Sequence, residues 1–432
     1  MLVGSEQTGV SAALKRLVPQ FASTDDRVFL RDFLIFGAII FVLTAAVYIA
    51  TTSWRLPFPR DNTTLALGRD FLNFWMYGRA AGTPDPSRFY DVATYNAELR
   101  AVLGPGFPGQ NWSYPPSVML LAAPFAQFGY LTALAVWTVL GLVLFLSVAR
   151  SHVDDWRILL PVALSPAALF CLISGQSSFI TAAMLLTIFA WLDRRPVLAG
   201  VLIGLLTLKP QVGFLFPFML IAAGRWRVFA SATATTVLLV GLTGVAFGFQ
   251  VWVDFVAKGL PAQNLVLSDP HRIATPFYPT VFMNVRGLDL DYAVAMTAQL
   301  LVSVPAILAT IWAFRYRRDA DPRLLRALFL SCSVAASPYL LAYDTLALTF
   351  AAVTLLSAGL LNGAGRRLVQ LVFWIPTLQL VFGSAHLPGP ALIAPAFAAW
   401  LVLRLQAEPM QQGVLRSLDR FSFGNACRDS RP

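Results

Sequence analysis

The stretch FLIFGAIIFVLTAAVYIATT, residues 33–52, runs for twenty positions without a charge. A helix needs about 20 apolar residues to cross roughly 30 Å of hydrocarbon, so this segment alone is long enough to span a bilayer. It begins only after Asp32, behind a polar segment, and no small-residue cleavage site follows it. We read it as an uncleaved first span and not as a signal peptide.

Working outward, eleven further apolar runs qualify as candidate spans: residues 131–149, 158–173, 178–192, 197–208, 211–223, 228–249, 293–314, 324–337, 343–361, 368–384 and 390–403. Several are short. The 432-residue chain is 57% hydrophobic and 12% charged, with a mean hydropathy of +0.66, whereas soluble domains carry about 25% charged residues. The runs are continuous and do not alternate apolar with polar residues, which excludes a membrane barrel. The expected fold is all-α, a polytopic integral membrane protein of about 12 transmembrane helices.

The net charge is +10, and 29 of the 32 basic residues are Arg, mostly in pairs between apolar runs. That distribution suits control of topology better than a groove for phosphates, so no nucleic-acid partner is expected. The links around Arg150 to Arg157, Asp193-Arg194-Arg195, Arg225 to Arg227, Arg315 to Arg318 and Arg366-Arg367 are basic. The intervening SGQSS, KPQ, SPYLLAYD and AHLPGP hold a single Lys. With the basic set cytoplasmic, both termini are cytoplasmic too, and the protein is multi-pass in the plasma (inner) membrane.

This alternation makes residues 1–404 one membrane domain. It has two outer segments, 53–130 and 250–292, and a disordered basic cytoplasmic tail over 405–432. The stretch SVMLLAAPFAQFG, residues 117–129, would break the alternation if it crossed; its 13 residues and Pro124 make it re-entrant or interfacial. No internal repeat is visible. Cys171, Cys332 and Cys427 lack a CxxC spacing, so neither disulfide nor metal is expected, and no cofactor is called for.

The polar motifs then gather on the outer side. In LALGRDFLNFWMYGRAAG, residues 65–82, Asp70, Asn73 and Tyr77 share a helical face, with Phe71, Phe74 and Trp75 turned to headgroups or protein. Read locally, Asp70 either caps the helix, pairs with Arg69 or Arg79, or aims a carboxylate at a substrate. Tyr90, Tyr95, Trp112 and Tyr114 follow; such aromatics suit a sugar ring and equally a membrane-interface belt. Gln176 sits at a helix junction, where capping the break and bonding sugar hydroxyls are both open.

Lys209 ends a short span, either snorkelling to headgroups or serving an anionic substrate. Arg272 and Arg286, in SDPHRIATPFYPTVFMNVRGLD, are further phosphate candidates. Asp289-x-Asp291 reads as a helix start and not as a metal-binding pair.

Taken in order, GRDFLNFW, GRAAG, RFYD, YPP, SGQSS, AGVLIGLLTLKPQVGFLFPFML and GRWR resemble glycosyltransferase family 87, multi-span GT-C enzymes that use polyprenol-phosphate-mannose. The resemblance runs from about residue 65 to 345. It implies around a dozen helices, a juxtamembrane first outer loop, and inverting transfer of a hexose, mannose in the family, from a polyprenyl-phosphate sugar to a lipid or glycan acceptor at the outer leaflet. The family's catalytic carboxylate falls on Asp70.

The family's Gly-Gln and Lys-Pro positions match Gly175-Gln176 and Lys209-Pro210. Where the family often has His or Asp at a later outer helix end, this chain has Tyr343 and Asp344 without His. Together, the residues and the resemblance give the expected substrate-binding set as Asn73, Tyr77, Tyr114, Gln176, Lys209, Gln211, Arg272, Arg286, Tyr343 and Asp344.

The residues agree with this independently. Transfer from a phosphate-linked sugar needs one base for the acceptor hydroxyl, because the leaving phosphate is already a stable anion; a hydrolase would need two carboxyls. Asp70 supplies that base, and Arg69 beside it threatens its basicity. The competing reading is a secondary transporter or lipid flippase. It would place broken helices at midplane in related halves, whereas these motifs cluster at one face.

Overall fold

The computed structural model describes residues 25–112, 114–268 and 275–407. These residues form an all-α bundle whose only extended pairings are isolated bridges at Ser53, Arg60 and Ala66. Arg272 and the 408–432 tail lie outside the described residues.

The first span becomes helix Asp26–Thr51, started by Asp25, whose carboxylate accepts from the Arg27 N–H at 2.9 Å. Phe29, Phe33 and Gly37 pack inward while Val42, Leu43 and Val47 stand exposed. An apolar surface of that extent is stable only against lipid. Five more helices are long and apolar enough to cross a membrane: Tyr130–Arg150, Trp226–Phe247, Tyr292–Tyr316, Gly363–Ser384 and Gly389–Ala407. The chain is therefore a polytopic membrane protein.

All twelve expected segments are helical, but the other six are short or broken. Residues 158–173, expected as one span, form Trp156–Ala163 and Pro166–Ser174 at 57°. Pro166 has no N–H to continue the ladder, and it turns Ser165 to extended backbone. Residues 211–223 likewise split into Pro210–Gly213 and Phe216–Ala222, each with a proline in its first turn. Helix Leu346–Ser357 is buried from Leu346 to Leu356. A short helix can lie inside a membrane protein where neighbours and polar partners satisfy its ends, and Leu346–Ser357 is enclosed in that way.

Residues 53–130 fold on an aromatic core. Helix Arg69–Ala80 buries Phe71, Phe74, Trp75 and Tyr77, so these rings meet protein and not headgroups. Tyr77 stacks on Trp112 with centroids 3.7 Å apart. The 117–129 stretch stays in this layer as Val118–Ala122 and the 3-10 turn Ala123–Gln127. It lies so close beneath helix Arg69–Ala80 that a Cβ on Gly78 would sit 2.3 Å from the Ala122 carbonyl oxygen.

A second close approach sets where Lys209 stands. Helix Pro196–Leu205 crosses Trp226–Phe247 through Gly200 and Gly204. A Cβ on Gly200 would lie 2.5 Å from the Val228 carbonyl oxygen, and one on Gly204 2.8 Å from that of Ala232. Small residues four apart let two membrane helices touch backbone to backbone, and Ser231 adds a hydrogen bond to the Val197 carbonyl at 2.8 Å.

Gly204→Leu should cost about 1–3 kcal/mol through overpacking and lower the thermal midpoint in detergent. Gly241→Leu, on the partner helix Trp226–Phe247 but facing open space, should leave it unchanged. Equal midpoints for the two variants would contradict the close crossing.

Candidate functional site

Four separate chain segments meet at Asp70. Gly68, with φ +74°, starts helix Arg69–Ala80 and turns Asp70 inward. Opposite it, helix Pro166–Ser174 ends at Gly175, φ +61°, where the Gln176 N–H returns to the Cys171 carbonyl at 3.1 Å and the Gly175 N–H to that of Leu172 at 3.2 Å. A Cβ on Gly175 would sit 2.7 Å from that of Phe71. Only glycine permits both the left-handed turn and this contact, and together they bring Gln176 to Asp70.

The carboxylate is held on one side. Tyr343 Oη donates to Asp70 Oδ2 at 2.8 Å and Gln176 Nε2 to the same oxygen at 3.4 Å. Gln176 also donates to Tyr114 Oη at 3.2 Å and Tyr343 Oη at 3.1 Å, while its carbonyl accepts from Ser177 N–H at 2.8 Å. Oδ1 of Asp70 takes neither of these bonds. Removal from bulk water raises the Asp70 carboxyl above its ordinary value. The Tyr343 hydrogen bond, the Lys209 charge, the Gln176 bond and the Arg69 charge oppose that rise, in this order, without cancelling it.

Lys209, at the turn between Leu206–Leu208 and Pro210–Gly213, is 5% exposed. Its Nζ lies 2.5 Å from Asp344 Oδ1, an oxygen that also accepts from Ser178 Oγ at 2.6 Å, and 5.0 Å from the centroid of the Tyr343 ring. Oδ2 of Asp344 is buried without a partner. A cation and its counter-ion thus stand beside the reactive-looking carboxylate, with the tyrosine between them.

Two hollows meet at this cluster. An apolar cleft of about 70 Å³ is walled by Phe74, Leu121, Trp137, Ile180 and Met184. A polar cavity of about 260 Å³ is walled by Asn73, Gln211, Gln263, Tyr278, Tyr339 and Tyr343. Asp70, Tyr114, Gln176, Leu208 and Lys209 line both. Such a junction can hold an apolar tail on one side, hydroxyl-rich groups on the other, and a proton acceptor between them.

Of the expected site residues, Asp70, Asn73, Tyr114, Gln176, Lys209, Gln211 and Tyr343 line the polar cavity. Asp344 stands behind Lys209. Tyr77 is fully buried and faces neither hollow; with Tyr90 it donates to the Tyr114 main-chain carbonyl, at 2.5 and 3.2 Å, and so holds the backbone that carries Tyr114. Burial first, and then the Asp70 charge, push the Tyr114 phenol up, which keeps it neutral. Asn73 is braced by the Tyr95 hydroxyl at 2.5 Å and by its own bond to the Asn111 carbonyl at 2.9 Å.

Arg286 is buried at the end of helix Val281–Arg286 with Nη1 on the Leu290 carbonyl, away from both hollows. Gln263, Tyr278 and Tyr339 escaped the sequence reading. Tyr278 and Tyr339, 61 positions apart, meet with hydroxyls 3.2 Å from each other, a contact that no local spacing announces.

Removing either member of the Lys209–Asp344 pair should be costly. Lys209→Gln or Asp344→Asn leaves one buried charge uncompensated and should lower stability by about 3–5 kcal/mol. The double variant should recover most of that loss, as read from thermal midpoints. A double variant no more stable than the singles would contradict direct pairing.

A profile of glycosyltransferase family 87 matches residues 112–342, over half of the chain. The matched stretch includes Tyr114, Gln176, Lys209 and Gln211 and stops short of Asp70 on one side and of Tyr343 and Asp344 on the other. No curated protein and no solved structure matches the chain. The two hollows, the family match and the membrane helices agree, and the chain belongs to glycosyltransferase family 87.

Proposed function

We propose that this glycosyltransferase takes a hexose, mannose by family resemblance, from a polyprenyl-phosphate sugar and passes it to a hydroxyl of a lipid or glycan acceptor at the outer face of the plasma membrane. One observation carries the reading: a single carboxylate, Asp70, sits where an apolar cleft meets a polar cavity. The lipid end of the donor follows the cleft, the acceptor hydroxyl comes from the polar side, and the sugar bridges them beside Asp70.

In the step itself the acceptor hydroxyl gives its proton to Asp70 Oδ1 while its oxygen attacks C1 of the sugar. The bond from C1 to the phosphate oxygen breaks on the opposite face, its electron pair leaves with the phosphate, and C1 inverts. Tyr343 and Gln176 hold Oδ2, so they orient the carboxylate without occupying the oxygen that receives the proton. Lys209 faces both hollows and offsets charge developing on the departing phosphate. Gln176, Tyr114, Asn73 and Gln211 supply hydrogen bonds to sugar hydroxyls. The apolar helices support the membrane location, and the distribution of arginines supports cytoplasmic termini.

Asp70→Asn should lower transfer from a labelled polyprenyl-phosphate hexose by about 10²–10⁴-fold. A raised carboxyl holds its proton more tightly in the folded state, so folding stability falls as pH rises through that value; the neutral amide should therefore keep the thermal midpoint at pH 7. Because the base must be ionised, the acid limb of kcat/KM should lie above the ordinary carboxylate value of about 4. Wild-type transfer by Asp70→Asn would overturn the role of Asp70.

A further inference from the structure

Arg69 poses an electrostatic problem beside Asp70, and the fold answers it with a residue that the reaction does not touch. We propose that Asp61 is a positioning residue: it draws the Arg69 guanidinium to itself and so keeps the neighbouring Asp70 carboxylate free of a second cation. This rests on the reading of Asp70 as the base.

The geometry is specific. Arg69 Nε lies 2.5 Å from Asp61 Oδ2, and the Asp61 side chain is wholly buried. Its other oxygen accepts from Thr63 N–H at 2.8 Å and Thr63 Oγ at 2.6 Å. The turn that carries it is closed by the Asp61 N–H on the Leu65 carbonyl at 2.9 Å and the Thr64 N–H on the Asp61 carbonyl at 3.0 Å. These bonds hold the Asp61 carboxylate in its turn, with Oδ2 facing Arg69. The main chain of Arg69 is pinned as well, its carbonyl accepting from Gln110 Nε2 at 3.0 Å.

Successive residues of a helix point about 100° apart. Arg69 can thus reach Asp61 while Asp70 reaches Tyr343, and the pair leaves the cavity to Asp70 and Lys209. A buried ion pair is a weak source of stability, since desolvation offsets attraction. Its value here lies in where it puts a charge.

Several other ionisable groups act on Asp70. Tyr343 faces it from the 3-10 turn Ala342–Thr345, Lys209 from the turn before Pro210 with Asp344 behind it, and Tyr114 from the loop before helix Val118–Ala122. Tyr130, Tyr278 and Tyr339 lie further out. Tyr48 of the first span faces the Asp61–Arg69 pair. These groups are common to the wild type and the Asp61 variant, so the released guanidinium is the influence under test.

The test reads the protonation of Asp70 directly. In an infrared difference titration of the full-length protein in detergent, the carboxyl band that Asp70→Asn abolishes gives its midpoint. In Asp61→Asn that midpoint should fall by about one pH unit, since a cation within a few ångström favours the carboxylate. In Asp61→Asn/Arg69→Gln, which removes both charges, it should return to the wild-type value.

An unchanged midpoint in the single variant overturns the proposal, as does a shift of a unit or more in the double variant. Should the single variant fail to fold, the double variant decides alone. The titration needs no substrate, so its failure leaves Asp70 as base. Retained transfer in Asp70→Asn would remove the base and leave the charge placement by Asp61 still measurable.

Discussion

The hydrogen bond from Tyr343 to Asp70, 2.8 Å long, joins residues 273 positions apart. It ties the 53–130 segment to the start of a helix buried in the middle of the bundle. Around that one contact the remaining parts fall into place: Gln176 donates to both partners, Lys209 lies over the Tyr343 ring, and Asp344 beside Tyr343 holds Lys209. The aromatic core of the 53–130 segment and the close approaches at Gly68, Gly78 and Gly175 let it pack against the bundle.

Charge placement is the second constraint. Three carboxylates and two cations lie within a short run of structure, and each cation has a partner that is not Asp70: Arg69 has Asp61, and Lys209 has Asp344. The consequence is a carboxylate surrounded by hydrogen-bond donors and neutral phenols, removed from bulk water, whose proton is held more tightly than usual. Proximity in sequence left open that Arg69 would pair with Asp70 and cancel its shift; in space its guanidinium meets Asp61, and its charge is the last of the influences that oppose the rise. On the proposed reading, that separation is what lets one aspartate act as a base beside an anionic donor.

Much of the fold was legible in the sequence because bilayer physics leaves few alternatives. Twenty apolar residues such as 33–52 have to form a helix, and the helix appears as Asp26–Thr51. The breaks were less legible: Pro166 and Pro210 signal interruption but not the angle, and the burial of helix Leu346–Ser357 comes from its neighbours. In the site, Asp70, Gln176 and Lys209 stood out because polar residues next to apolar runs are expensive and need a reason. Asp61, Gln263, Tyr278 and Tyr339 did not, because each gains meaning only from a contact far along the chain. Tyr77 shared the helical face of Asp70, yet its hydroxyl holds a carbonyl and reaches no cavity, a distinction that periodicity cannot draw.

The account therefore stands on the chemistry of the donor, which decides whether the apolar cleft and the polar cavity serve one reaction. The most direct measurement incubates membranes with and without the protein with a panel of labelled polyprenyl-phosphate hexoses and nucleotide hexoses, and determines the anomeric configuration of any product. The account predicts protein-dependent transfer from a polyprenyl-phosphate hexose, with inversion at C1. Transfer from nucleotide sugars alone, or retention of configuration, would contradict it.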